Sequence, residues 1–293
     1  MTVLQLRAGS AATTGSLRIA SARLQRGARW LACGIALATA WSTQGFAQTA
    51  DIKLWRMQCG KDQPLPKAMF SDAFRYPEES TKDFTFSCYL IQHGQDYLVW
   101  DAGLPDVDGP RITQQLRQLG LTPKDVRFLG ISHYHFDHIG QAADFAEATL
   151  LIGADDFAAV KKGDRLPDNS TTSGMRLAPW IVGGGKVELL SQDHDVFGDG
   201  LVRVLRMPGH TPGHRALLVT LPKKGPVLLS GDLYHFPENR HFREVPAFNT
   251  DRAQTQASMQ RFEEIASRLK AQVIIQHEPA DIAKLPAFPA AAE

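Results

Sequence analysis

The chain has 293 residues, a formal net charge of +1 with histidine neutral, 43% hydrophobic residues and 22% charged residues. That balance describes a folded globular protein and argues against a disordered polymer or a basic nucleic-acid-binding surface. The length suits one large domain or two small ones, and no apolar run reaches membrane-spanning length.

Residues 1–47 differ from the rest. They hold five arginines (Arg7, Arg18, Arg23, Arg26 and Arg29) and no acidic residue, followed by the apolar run WLACGIALATAW and then STQGFAQTA. A basic region, an apolar core and small residues before a cut describe a secretory signal peptide, with cleavage expected after Ala47. The run is short for a membrane anchor. Cys33 lies at its front, where a lipidated cysteine would lie behind it, and its compact core argues against an organelle transit peptide. Export across the inner membrane to the periplasm is therefore expected. Removing five positive charges takes the formal charge from +1 to −4. Residues 48–293 then read as a single domain. Two of its residues are cysteines, Cys59 and Cys88. An oxidising compartment permits a disulfide between them, whereas their apolar character suits two buried free thiols; the balance favours the thiols slightly.

IKLWRMQCG reads as a first strand, and PLPKAMFSDAFRYPEES, with two prolines and mixed polarity, as a loop. FTFSCYLIQHG and DYLVWDAG are rich in aromatic and β-branched residues and flank a turn, which is a hairpin signal. Apolar residues at Ile112, Leu116 and Leu119 predict a helix that Gly120 ends. VRFLGIS and TLLIGA read as strands and DDFAAVKK as a short helix. Residues 163–185 read as a long loop. LVRVLRMP, RALLVTLP and PVLLSGD are three more strands. The helix RAQTQASMQRFEEIASRLKA starts at a Thr250 or Asp251 cap and presents Met259, Phe262, Ile265, Ala266 and Leu269 on one face. QVIIQHE is the last strand. The order predicts an α+β or layered α/β domain.

SHYHFDHIG, residues 132–140, follows directly on a strand. It gathers His133, His135, Asp137 and His138 within six residues. Extended chain puts His133, His135 and Asp137 on one side, and a following turn brings His138 round. One metal with an open position cannot use all four, but two metals can. His210 in MPGHTPGH, Asp232 in LLSGDLYH and His277 in VIIQHEP each stand at the end of an apolar strand, where rigid elements hold catalytic groups open to substrate. Singly they have blander readings: a loop histidine, a turn aspartate, a buried strand end. Together with the first motif, in this order, they point to a dinuclear metal site.

The arrangement resembles the metallo-β-lactamase superfamily from about Asp51 to Pro279. The resemblance implies an αβ/βα sandwich with two divalent cations, zinc, at one edge. It implies His133, His135 and His210 on one ion, Asp137, His138 and His277 on the other, and Asp232 bridging them opposite a shared water. Such a water is acidified to a hydroxide near neutral pH. An aspartate at 232 argues against a true β-lactamase, while glyoxalase II, lactonases and organophosphate hydrolases have it. FSCYLIQHGQDYLVWDAGLPD and RITQQLRQLGLTPKDVRFLGISHYHFDHIG look most like N-acyl-homoserine lactone lactonases. The expected function is thus opening of an acyl-homoserine lactone ring by the bridging hydroxide, with Asp137 and Asp232 orienting it. A thioesterase, a phosphotriesterase such as methyl parathion hydrolase, and a β-lactamase stand as alternatives. A diiron redox protein fits poorly, because such relatives have glutamate at the position of His135 and an added flavin domain.

Two departures stand out. Gly140 is followed by Gln141 where the family has a second glycine. Some lactonases place a catalytic tyrosine three residues after the bridging aspartate, where this chain has His235, with Tyr234 one residue earlier. Either Tyr234 or His235 is a candidate donor to the developing oxyanion. His214, just after a Pro-Gly turn, is expected to be structural. The acyl chain needs an apolar trough, for which the segments 69–74, 175–180 and 236–248 are candidates. The expected partner is a small lactone or ester, with no nucleic acid and no membrane insertion; nothing in the sequence fixes an oligomeric state.

Overall fold

The computed structural model describes residues 51–105, 111–163 and 173–293, so the expected signal peptide lies outside the described residues. In chain order the strands are β1 (Ile52–Gln58), β2 (Gln63–Pro66), β3 (Thr81–Phe84), β4 (Ser87–His93), β5 (Asp96–Trp100), β6 (Val126–Gly130) and β7 (Thr149–Gly153). They continue as β8 (Val187–Leu190), β9 (His194–Asp195), β10 (Val202–Arg206), β11 (Arg215–Leu221), β12 (Gly225–Leu229) and β13 (Gln272–Ile274). The helices are α1 (Ile112–Gln118), α2 (Phe136–Ile139), α3 (Ala154–Lys162), α4 (Ser173–Arg176), α5 (Ala178–Ile181), α6 (Pro237–Phe242), α7 (Arg252–Leu269) and α8 (Pro279–Ile282).

One sheet has the order β1-β4-β5-β6-β7-β8, and the other β13-β12-β11-β10-β9. The first is antiparallel through β5 and parallel beyond it. Strand alternation sorts the side chains into layers. On β4, Tyr89 and Ile91 pack with Leu217 and Val219 of the facing sheet, while Leu90 packs outward with Ile112, Leu116 and Phe157 of α1 and α3. On the other sheet Leu218 and Leu228 face outward against Met259, Phe262 and Ile265 of α7. The result is four layers, helix–sheet–sheet–helix, the expected αβ/βα sandwich. The Asp251 carboxylate caps α7 by accepting from the Gln254 amide.

Three sequence expectations need correction. The expected loop after β1 contains β2, which pairs with β3, and a 3₁₀ turn over Lys67–Phe70. The expected loop at 163–185 contains α4 and α5. Cys59 and Cys88 form a disulfide with both residues fully buried. Their 29-residue separation hides the pairing. The antiparallel β1–β4 register sets Met57 opposite Cys88 and brings the Cys59 amide to the Phe86 carbonyl.

Candidate metal centre

The ends of β5, β6, β10, β12 and β13 converge on one edge of the sandwich. The segment after β6 is not extended throughout. His133 and His135 leave the strand as irregular chain, and His135 is the residue before α2, whose single turn carries Asp137 and His138. Asp137 therefore does not share the side of His133 and His135; the helical turn carries it away with His138. Tyr134, between the two histidines, is buried in the outer core. At Gly140 a Cβ would lie 2.2 Å from the Leu104 carbonyl carbon, so only glycine lets this turn close on the 103–105 segment. Gln141 ties this turn back to α1: its Oε1 accepts the Ile112 amide at 3.1 Å, at the start of that helix.

The seven predicted residues come together in two groups. His133, His135, His210 and Asp232 form one, and Asp137, His138 and His277 the other, with donor atoms in each within 4.8 Å of one another. Asp232 lies between them. Its Oδ2 is 3.5 Å from Nε2 of both His133 and His210, and its Oδ1 is 3.1 Å from His138 Nε2 and 3.0 Å from His277 Nε2. Asp137 Oδ2 is 3.7 Å from His138 Nε2 and 3.8 Å from His277 Nε2.

Hydrogen bonding shows how the second group is oriented. His277 Nδ1 donates to the Thr85 carbonyl at 2.9 Å, and His138 Nδ1 faces Asp101 Oδ2 at 2.9 Å. In a neutral imidazole so anchored, Nε2 carries a lone pair. Those two Nε2 atoms lie 3.3 Å apart, and both face a carboxylate oxygen. With both imidazoles neutral, three acceptors converge on one point and make a site for positive charge, which a proton on His138 or a bound metal ion supplies. The donor set, imidazole nitrogen with carboxylate oxygen, suits zinc and similar divalent ions. Anchored outer nitrogens are the usual device for aiming such ligands.

The electrostatics agree. Burial holds His133 and His210 well below the ordinary histidine range and takes His135 down to about 4, leaving their lone pairs free. Burial also opposes charge on His138, but Asp232, Asp137 and Asp101 outweigh it and hold its pKa well above the ordinary value. Burial of Asp232 is likewise overcome, by His138, His277, His133 and His235, and its carboxyl stays well below the usual range. The field at this end favours positive charge.

The supporting residues were less legible in sequence. His214 is structural, as expected: its Nδ1 donates to the Met207 carbonyl, and its Nε2 accepts the Asp232 amide at 2.9 Å. Burial takes its pKa down to about 4, consistent with that neutral tautomer. Asp101 went unmarked except as part of a turn, yet its carboxylate holds both His138 and the Ser132 amide. Asp156, in the first turn of α3, accepts from Thr211 Oγ1 at 2.7 Å and the Gly213 amide at 2.6 Å, pinning the His210 loop. Burial pushes its carboxyl up to about 7.

Tyr234 and His235 separate cleanly. A 3₁₀ turn over Gly231–Leu233 gives way to extended backbone at Tyr234, and successive residues then point to opposite faces. Tyr234 turns into the α7 layer, where its hydroxyl donates to Glu263 Oε1 at 2.9 Å. Its place as an oxyanion donor is therefore withdrawn. His235 faces the centre, with Nε2 3.2 Å from Asp232 Oδ2, and burial lowers its pKa.

A cavity of about 360 Å³ opens on His135, Asp137, Asp232 and His235. Its wall is apolar: Leu65, Met69, Phe70, Phe84, Phe86, Phe136 and Phe248. Of the expected trough segments, 69–74 and 236–248 contribute, but 175–180 does not. Trp180 is buried in the outer core with its indole N–H on the Ala148 carbonyl, and Met175 is exposed. Sequence reasoning missed Leu65, Phe84 and Phe86, which flank or lie on the short strands β2 and β3.

A model of the metallo-beta-lactamase superfamily matches residues 84–277. Among curated proteins, N-acyl homoserine lactonase AttM of Rhizobium johnstonii is 30% identical over 266 residues, covering 78% of this chain and 94% of that protein. AttM of Azorhizobium caulinodans is 30% identical over 180 residues, covering 56% of this chain and 63% of that protein. Among solved structures, an N-acyl homoserine lactone hydrolase with N-hexanoyl-L-homoserine bound at its catalytic metal centre superposes with a TM-score of 0.70. The two are 21% identical, and the match covers 82% of this chain and 98% of that one. AidC, a dizinc quorum-quenching lactonase, gives a TM-score of 0.61 at 16% identity, over 83% of this chain and 90% of that one.

Proposed function

The chain belongs to the metallo-β-lactamase superfamily, and from that premise we propose that it is a two-zinc hydrolase that opens the lactone ring of N-acyl-homoserine lactones. The observation that carries this reading is the two-sided Asp232 carboxylate, with each oxygen facing a different histidine pair. His133, His135 and His210 would hold one ion and Asp137, His138 and His277 the other, with Asp232 within reach of both groups. When bound, the ions supply Lewis acidity and an activated water.

The chain's own residues do the rest. Asp137 and Asp232 accept hydrogen bonds from the attacking water and fix its direction. His235, kept neutral by burial, lines the cavity and donates to the carbonyl oxygen as charge develops there. Leu65, Met69, Phe70 and Phe248 exclude water and hold the acyl chain. The full-length lactonase relatives support the substrate class.

Export to the periplasm is part of the proposal. The basic-apolar leader supports it, as does the Cys59–Cys88 disulfide, which suits an oxidising compartment. The test is a substrate panel on the purified, zinc-loaded mature chain. Opening of hexanoyl- to dodecanoyl-homoserine lactones ahead of thioesters and phosphotriesters is expected. Turnover of either alternative with those lactones left intact contradicts the proposal.

A further inference from the structure

Gln276 precedes His277 and is wholly buried. Its side-chain amide is used at both ends. Nε2 donates to Asp101 Oδ2 at 2.9 Å, while Oε1 accepts from the Gly231 amide at 3.0 Å and from Trp100 Nε1 at 3.2 Å. Its backbone carbonyl accepts from Ser87 Oγ at 2.7 Å. One residue thus joins the start of β4 to the ends of β5, β12 and β13.

What it joins matters for the second group of ligands. Asp101 sits at φ 60°, in the left-handed region that a non-glycine residue keeps only when its surroundings hold it. Its Oδ2 is shared between Gln276 and His138 Nδ1. Gly231, also left-handed at φ 55°, immediately precedes Asp232. We infer that Gln276 is a positioning residue for the ion held by Asp137, His138, His277 and Asp232. It sets the Asp101 carboxylate that aims His138 in register with the turn that carries Asp232.

The chemistry calls for an amide. One end must donate to a carboxylate and the other must accept two N–H groups. Glutamate would keep the two acceptor contacts but set a second carboxylate against Asp101. Leucine, of similar size, would leave the Gly231 amide and Trp100 Nε1 without this acceptor and Asp101 Oδ2 with His138 alone. Among the described residues this amide bonds Asp101, Gly231 and Trp100 and none of His133, His135 and His210, so it bears on the first ion only through the shared Asp232 and on the second through Asp232 and His138 both.

The inference rests on the two-metal reading, and its test separates the two. Gln276→Glu and Gln276→Leu are made in the mature chain and dialysed against buffered zinc. Zinc per chain is counted, and the visible spectrum of cobalt-loaded protein and the far-ultraviolet circular dichroism of metal-free protein are recorded. Wild type is expected to hold two zinc ions. Both variants are expected to keep one ion, a native-like dichroism spectrum and the cobalt bands of the first site. Their second-site affinity should fall about 10- to 100-fold, the usual scale for an outer partner of a metal ligand. The near-isosteric Gln276→Glu keeps the test open if the leucine variant fails to fold. Two zinc ions bound to either variant with wild-type affinity would overturn the inference. Fewer than two in wild type would instead remove the metal reading beneath it.

Discussion

The polar floor of the cavity and its apolar wall come from different parts of the chain. The floor is carried by turns leaving β6, β10, β12 and β13, and its ligands are held from behind. Thr85 holds His277, Asp101 holds His138, and His214 holds the Asp232 amide. The wall comes largely from the 63–86 excursion between β1 and β4, together with Phe136 and Phe248. It is built of ring contacts: Phe84 stacks on Phe70 at 4.8 Å and on His277 at 4.3 Å between centroids. The floor fixes the chemistry through directional bonds. On the proposed reading the wall would set which acyl chain reaches it, through non-directional burial. Changes to the floor should therefore cost turnover and metal, and changes to the wall should cost substrate preference.

The sharpest break is Asp232→Ala. It removes the side chain that faces both groups, and activity should fall by more than the 10- to 100-fold expected of an outer-partner change. Zinc should drop below two per chain; two tightly held ions in this variant would contradict the bridging role. His235→Gln is the next step down. It should lower kcat by about 100-fold with two zinc ions retained and KM little changed, as expected for a lost transition-state donor. A rise in KM with kcat intact would move His235 from the chemistry to the wall.

Phe248→Ala probes the wall itself. Phe248 lines the cavity and lies against Phe70, His135 and His235. Its loss should lower kcat/KM for decanoyl-homoserine lactone by about 10-fold, less for the hexanoyl substrate, at the scale of a lost apolar contact. Equal losses on both chains would show that this ring does not read acyl length.

The smallest effect concerns Asp156, behind the floor. Its folded pKa of about 7 lies above the ordinary aspartate value of 3.8, so the folded state binds the extra proton and this group's contribution weakens as pH rises from about 4 to 7. Asp156→Asn removes that dependence. Thermal denaturation of the metal-free proteins should show the variant gaining on wild type between about pH 5 and pH 7, by at most about 1.4 kcal/mol per pH unit, and levelling off above that. A constant offset across that range would mean that Asp156 does not titrate there.

The floor was legible in sequence because its ligands carry rare chemistry at fixed strand ends. His133, His135, Asp137, His138, His210, Asp232 and His277 come together in two groups, although Asp137 leaves on the α2 turn and not beside His133 and His135. The wall was less legible, since phenylalanine fills cores and cavities alike. Phe84 and Phe86 read as ordinary strand residues, and Trp180 as a trough residue although it is core. Strand parity decided between Tyr234 and His235, and it depends on where the 3₁₀ turn ends, which no residue type marks. The Cys59–Cys88 bond depends on a β1–β4 register that spacing does not encode. Gln141, which reads as a departure from the family pattern, anchors the start of α1.

The most direct test of the two-metal lactonase proposal is a zinc titration of the metal-free mature protein, followed by opening of hexanoyl-homoserine lactone. Activity should rise with the second equivalent and plateau at two zinc ions per chain. Full activity at one equivalent, or no lactone opening at two, would contradict it.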